Sequence, residues 1–337
     1  MKDNGLSPAA AFCFNRAMRV FVYEHLCATL PTAAVAWQSL RGEGQAMLTA
    51  FSDDLRAVPG IEVVMLEPGQ AGEFAETAAQ ADFTLVIAPE CDGILESLCR
   101  TVEQVGGRLL GPAADAVRLT ADKLKLASLW KLRGVPTPPT RLALPQETVP
   151  HIFGPAVVKP RHGAGSLATH WIATGAEWRP ALTAARSETS DDLIAQPFVP
   201  GRAVSVAWLR GPRQRLPLLP TAQDLSPDGR LHYRGGSLPL PPPLAERAVR
   251  LSAQAIEAVP GLLGYVGVDL VLGEAEDGSA DVAIEVNPRP TTSYVGLRAV
   301  ARLNLMETLL RVVQGEAVAA PCWDDRTIHF SVDGQVT

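Results

Sequence analysis

The stretch Gly264–Leu272 reads GYVGVDLVL, an apolar strand that carries one acid, Asp269, in its interior. A carboxylate inside such a strand is costly without partners, so the fold must bring other polar groups to it. Twelve residues after that strand ends, Ile284–Pro290 reads IEVNPRP. Glu285 and Asn287 are two apart, and on a strand their side chains face the same side of the sheet. Asp269 on a neighbouring strand can point at the same place. Two carboxylates and an amide oxygen suit a hard, oxygen-liganded Mg²⁺ completed by phosphates and water. The alternative is a strand pair whose polar groups only satisfy one another.

A second constraint comes from the cations. Of 30 Lys and Arg residues only five are Lys: Lys2, Lys123, Lys125, Lys131 and Lys159. A chain that uses Arg so widely keeps Lys where a compact ammonium is needed, because a planar guanidinium is not equivalent there. Lys125 and Lys131 read as solvated helix positions. Lys159 ends a buried strand in VVKPRHGAGS (Val157–Ser166). Gly163 and Gly165 let backbone N–H groups approach anionic oxygens, and Lys159 adds a point charge. No Walker loop is present. Alone, GAGS is equally a surface turn; with a strand-terminal Lys before it, phosphate binding is the better reading. Asp122 and Lys123 open a helix, whose positive dipole end favours an anion. The functional reading of Lys123 depends on its pairing with Lys159.

Strand-like runs at Arg19–Tyr23, Ile61–Leu66 and Phe83–Ala88, with a weaker one at Arg108–Leu110, alternate with helical patterns at Ala46–Val58 and Ile94–Val105. That alternation predicts an open, mostly parallel α/β sheet for residues 18–118, after a frayed extension over 1–17. A helix from Asp122 to Arg133 is stopped by Gly134 and VPTPPT, since each Pro removes a donor. Residues 119–196 form a small central α+β unit, and PFVPG (Pro197–Gly201) opens a C-terminal α+β unit over 197–337. In the latter, Ser226–Arg230 predicts a hairpin turn, and Leu238–Leu244 (LPLPPPL) a rigid linker. Helices are expected at Ala245–Val259 and Val300–Gln314.

The 337 residues exceed one ordinary core, and a hydrophobic content of 47% excludes a disordered chain. No segment approaches the ~20 apolar residues that cross a bilayer. A net charge of −6 offers no general attraction to nucleic acid or anionic membrane. Five cysteines, none in CxxC spacing, read as ordinary thiols rather than a disulfide or zinc framework. The start is a poor signal peptide, which points to the cytoplasm. The six histidines show no metal spacing.

Taken in order, DK…GVPTP, VVKPxxGAGS, QPFVPG, GVD and EVNPR resemble the ATP-grasp superfamily. The resemblance implies a three-domain α/β and α+β fold that grips ATP and Mg²⁺ (or Mn²⁺) between two subdomains. Most members join a carboxylate to an amine through an acyl phosphate. It also implies roles. Lys123 and Lys159 look like the phosphate-contacting lysines, and Gly163, Ala164, Gly165 and Ser166 like the mobile loop over the phosphates. Gln196, Pro197, Phe198 and Val199 look like the adenine-contacting hinge, and Asp269, Glu285 and Asn287 like the metal ligands. Two positions depart from the pattern. Ala203 stands where a ribose-binding Glu is frequent, and Gly267 where D-alanine ligases often have Arg. Phe21–Leu26, Phe198–Val206 and Glu285–Leu297 are similar to archaeal tyramine–glutamate ligases of methanofuran synthesis. Related proteins occur in bacteria that use methylofuran in one-carbon oxidation.

The resulting expectation is a C–N ligase for glutamate and tyramine, tyrosine or a related amine, releasing ADP and phosphate. Its partners are small-molecule carboxylates and amines; a homodimer is left open. Glu24, just beyond the first strand, sits where such sheets place ligands and is a candidate for a substrate ammonium, or a surface Glu. Arg289 is a candidate to hold a carboxylate or an oxyanion, or to brace its loop. Thr291, Thr292, Ser293 and Tyr294 are candidates to line the amine pocket, with helix capping as the alternative. Other amino-acid ligases, a carboxylase-like enzyme and a non-catalytic ATP-binding protein stay open.

Overall fold

The computed structural model describes residues 17–29, 35–144 and 154–337. Apart from Ala17, the expected N-terminal extension lies outside the described residues. Strand Met18–Glu24 is buried along almost its whole length, and its apolar run satisfies both faces. It pairs in parallel with Ile61–Val64 on one side and Phe83–Ile87 on the other. Arg108–Leu110 contributes a single parallel bridge, Leu109 to Thr84, rather than a full strand. The first long helix spans Val35–Arg56, starting well before the expected Ala46. Met47, Phe51 and Leu55 mark only the part that packs on the sheet; the turns before them follow no apolar period.

The second sheet is antiparallel, in the order Arg141–Leu142, Leu193–Pro197, Ala156–Pro160, His170–Ile172. Helix Trp178–Glu188 covers it through Trp178, Leu182 and Ala185. The third sheet has seven strands and runs Val282–Asn287, Gly264–Leu272, Arg202–Arg210, Thr221–Leu225, Tyr233–Leu238, Ile328–Ser331, with Arg215–Pro217 beside Arg202–Arg210. The 221–225 and 233–238 strands form the expected hairpin.

These layers share cores. Phe51, Leu55 and Leu85 pack into one cluster with Tyr265, Tyr294 and Leu309. Helix Lys123–Arg133 inserts Leu126 and Trp130 into the core of the third sheet, where the Trp130 indole donates to Ala255 O at 3.0 Å.

Two helix expectations change. The final helix is two helices, Ser293–Val300 and Leu305–Val313. The Asn304 side chain caps the second by accepting from the Met306 and Glu307 N–H groups at 2.9 and 3.0 Å, so the chain restarts there. The Leu238–Leu244 linker is partly helical, because the helix at Pro242–Glu257 begins on proline, whose missing N–H costs nothing in a first turn.

Candidate active site

Three strands and one helix start meet around a cavity of about 320 Å³. Asp269 lies directly opposite Glu285 in the antiparallel register, and Asn287 is two residues further along the same strand. The Asn287 amide donates to Asp269 Oδ2 at 3.0 Å, and Gln223 donates to Asp269 Oδ1 at 3.1 Å. Strand Ala156–Pro160 carries Lys159 to the same place. Its Nζ is 3.9 Å from Glu285 Oε2, and Lys123 Nζ is 3.2 Å from that oxygen. Lys123 also donates to Gly163 O at 2.8 Å, tying the helix start to the glycine loop. Five side chains that span residues 123–287 therefore converge.

Their electrostatics are interdependent. Burial and the neighbouring Glu285 charge push the Asp269 carboxyl up to about 6. Burial also pushes Glu285 upward, but the Lys123 and Lys159 ammonium groups outweigh it and hold that carboxyl near about 2. Burial lowers Lys159 to about 8, with Lys123 adding to the effect and Glu285 opposing it. Among the described residues no set of three or more His, Cys, Asp or Glu is grouped to hold a metal ion. The donor set here is two carboxylates and one amide. It fits a divalent cation that draws its other oxygens from phosphates and water, and such a cation would relieve the repulsion between the paired acids.

The glycine loop is braced on three sides. Gly165 has φ +63°, and a Cβ there would lie 2.5 Å from Leu40 of helix Val35–Arg56. The left-handed backbone favours glycine there, and any larger residue would also have to displace the tip of the Leu40 side chain. Ser166, with φ 57°, donates to Leu231 O at 2.8 Å. At the loop base Arg161 grips Asp122 with two bonds of 2.8 and 2.7 Å. Asp122 is thus more than a first-turn charge. It caps its helix by accepting from Lys125 N–H at 3.1 Å and anchors the loop base. His162 Nδ1 lies 3.1 Å from Asp191 Oδ1.

The Asp122 carboxyl is held well below the usual range, because its bonds from Arg161 and Lys125 prevail over the upward push of burial. A carboxyl depressed in the folded state stabilises above its unfolded pKa of about 3.9 and loses that contribution as pH falls through its folded value. Asp122→Ala is accordingly expected to cost roughly 2–3 kcal/mol at pH 7 in denaturant melts. The gap to the parent should narrow below about pH 3.

Gln196, Pro197, Phe198 and Val199 line the cavity. Gln196 is fixed by a 2.8 Å bond from its amide to Thr140 Oγ1. Phe198 meets Trp171 edge-on at 5.9 Å between ring centroids. Arg289 lines the same cavity and lies 2.9 Å from Glu90 Oε1 through its Nε. Thr291, Thr292 and Ser293 line it as well. Thr291 Oγ1 is within 3.1 Å of the Tyr265 hydroxyl and 2.9 Å of Ser293 Oγ, and Thr292 donates to Glu43.

Two candidates are placed elsewhere. Tyr294 is wholly buried, stacks on Phe51 at 3.9 Å and donates its hydroxyl to Asp54. It is a core residue, because it lies on the face of its helix that meets the first long helix. Glu24 is also buried and caps the short helix after the first strand, accepting from Cys27 N–H at 2.6 Å. A Cβ on Gly44 would lie 2.5 Å from its carboxyl carbon, so the backbone of the long helix closes over it. Tyr233, in the YRGGS stretch that reads as a candidate substrate loop, lines the cavity from a strand, whereas Glu43, Glu90 and Gln223 carry no such signal in the sequence. Glu43 precedes the apolar period of its helix, and the others sit on strands or turns with no local motif.

A family model for the ATP-grasp domain matches residues 120–293, and one for a pre ATP-grasp 3 domain matches 46–117. The chain belongs to the ATP-grasp family. It is an ATP-dependent carboxylate–amine ligase that forms C–N bonds. It is 25% identical over 272 residues to tyramine–L-glutamate ligase of Methanocaldococcus fervens, covering 79% of each chain. It is 26% identical over 256 residues to D-alanine–D-alanine ligase of Gloeobacter violaceus, covering 71% of this chain and 82% of that one. The solved structure of an ATP-grasp superfamily protein from Archaeoglobus fulgidus superposes with a TM-score of 0.70 at 22% identity, covering 94% of this chain and 92% of that one. No helix among the described residues is long and apolar enough to cross a membrane.

Proposed function

We propose that the chain joins the γ-carboxylate of glutamate to the amine of tyramine, tyrosine or a related amine, in assembly of a methanofuran- or methylofuran-type cofactor. The observation that carries the reading is the convergence of Lys123 and Lys159 on Glu285, opposite Asp269, at one cavity. The likeness to a tyramine–glutamate ligase supplies the substrate pair.

Lys123, Lys159 and the amides of Gly163–Ser166 hold the phosphates of ATP and offset charge that develops during transfer. Gln196–Val199 hold the adenine. Asp269, Glu285 and Asn287 hold Mg²⁺, which when bound neutralises charge on the β- and γ-phosphates. The substrate carboxylate accepts the γ-phosphoryl group as ADP leaves. The amine then attacks the acyl carbon, phosphate departs, and the amide forms. Arg289 holds a carboxylate or the oxyanion. Water would hydrolyse the acyl phosphate, so the Gly163–Ser166 loop must cover it during the reaction.

ADP release should follow glutamate plus an amine from a panel that includes tyramine and tyrosine, with one amide formed per ADP. Lys159→Ala is expected to lose roughly 10²–10³ in turnover. Tight Mg·ATP binding with no ADP across the panel would sink the ligase reading for these substrates. Release that depends on bicarbonate would favour a carboxylase-like reaction.

A further inference from the structure

We propose that Glu43 is a specificity-determining residue that binds an ammonium group retained on the carboxylate substrate, so that the site takes an amino acid rather than a plain carboxylic acid. The inference rests on the ligase reading above and names the substrate class within it.

The argument starts from charge. Glu43 reaches the cavity from the helix Val35–Arg56, and Arg289 reaches it from the turn after strand Val282–Asn287. Arg289 is already neutralised by Glu90, 2.9 Å away and only 6% exposed. Lys123 and Lys159 face Glu285, with Asp269 beside it. Glu43 is close enough to Arg289 and Tyr233 to act on both electrostatically. It therefore adds a negative charge that no cation among the described residues is left to match, beside the Arg289–Glu90 pair, and a cationic group on the ligand balances it.

Free valences point the same way. Glu43 Oε1 accepts from the Thr292 hydroxyl, and Oε2 has no hydrogen-bond partner among the described residues. Arg289 Nε lies 2.9 Å from Glu90 as an ion pair without hydrogen-bond geometry, Nη1 donates to Pro290 O at 3.2 Å, and Nη2 has no hydrogen-bond partner among the described residues. A free carboxylate oxygen and a free guanidinium nitrogen thus open on one cavity. They complement the ammonium and carboxylate of an α-amino acid, whose side-chain carboxylate stays available to react. A nucleophilic amine held by Glu43 would have to give up its proton before attack, whereas Glu43 and Arg289 together suit an ammonium and a carboxylate carried by one molecule. The cation that Glu43 retains accordingly belongs to the acid partner. The Thr292 hydroxyl holds the Glu43 carboxylate in place.

The test compares amino acids with their deaminated counterparts on protein saturated with Mg²⁺ and a non-hydrolysable ATP analogue. Glutamate is set against glutarate, aspartate against succinate and alanine against propionate, with affinities read from ligand-induced thermal shifts. The parent is expected to prefer one amino acid over its counterpart by roughly tenfold to hundredfold, the range of a charge-assisted hydrogen bond. Glu43→Gln should reduce that ratio to within about threefold by weakening the amino acid alone. Thr292→Val, a gentler change at the same contact, should reduce it in part. An undiminished ratio in Glu43→Gln overturns the inference, as does a parent that prefers no amino acid in the panel. Turnover that drops in Glu43→Gln with the ratio intact makes Glu43 a base for the nucleophile and also overturns it. If aspartate or alanine shows the preference while glutamate plus amines yields no ADP, the glutamate reading fails and the ammonium site stands.

Discussion

Replacing Glu285 by alanine is expected to reduce ADP release by roughly 10³-fold or more at saturating substrates. The side chain has two tasks in the geometry. Its Oε2 receives Lys123 at 3.2 Å and Lys159 at 3.9 Å, and its carboxylate lies opposite Asp269 across the strand pair. Removing it frees both ammonium groups from the anion beside them and, on the proposed function, would deprive a divalent cation of one of two carboxylates. Lys159, already lowered to about 8 by burial, then loses its strongest stabilising neighbour. Glu285→Gln keeps the shape without the charge. It should lose turnover to a similar extent. Initial rates across a Mg²⁺ titration check this, and parent-like turnover in either variant would remove Glu285 from the site.

The second large effect is on folding. Gly264 opens the strand that carries Asp269, with φ +74°. A Cβ there would lie 2.1 Å from Leu110 O, the backbone carbonyl that also accepts from Tyr265 N–H at 3.4 Å. An L-residue in that left-handed conformation costs roughly 1–2 kcal/mol before any clash. The carbonyl cannot yield cheaply, because Leu110 belongs to the core shared by the first sheet and the third. Gly264→Ala is therefore expected to lose at least about 3 kcal/mol in denaturant melts, or to abolish soluble protein. Gly42→Ala is the control. Among the described residues, no atom beyond its chain neighbours and its own helix backbone lies within 4 Å of its added Cβ, and in a helix interior it should be neutral or stabilise by about 0.5–1 kcal/mol. Equal midpoints for Gly264→Ala and the parent would show that the junction can relax.

Both predictions depend on contacts between segments far apart in the chain, and such contacts were the least legible part of the sequence. Lys159, Asp269, Glu285 and Asn287 could be singled out from the residues alone: Asp269 interrupts a continuous apolar run, Glu285 and Asn287 follow a two-residue alternation, and Lys159 ends a strand in a chain that has few Lys. The strands themselves were legible from their apolar runs, and Met18–Glu24 and Gly264–Leu272 lie close to where their patterns put them. The start of the first long helix was not. Leu40 and Glu43 precede its apolar stripe, and they face the glycine loop and the cavity rather than a sheet.

Tyr294 and Glu24 mark the opposite failure. Each follows a residue pattern that suits a binding site, yet Tyr294 is filled in by Phe51 and Asp54, and Glu24 by a helix cap and Gly44. Local composition encodes which residues need partners and which face of an element they occupy. It carries no record of which distant element supplies the partner, because that depends on how whole layers pack. The sequence by itself determined the polar residues within its strands and, through several motifs in order, the family. Only the tertiary structure decided that Lys123 and Lys159 share one oxygen of Glu285, that Glu90 lies against Arg289, and that Glu43 faces the same cavity.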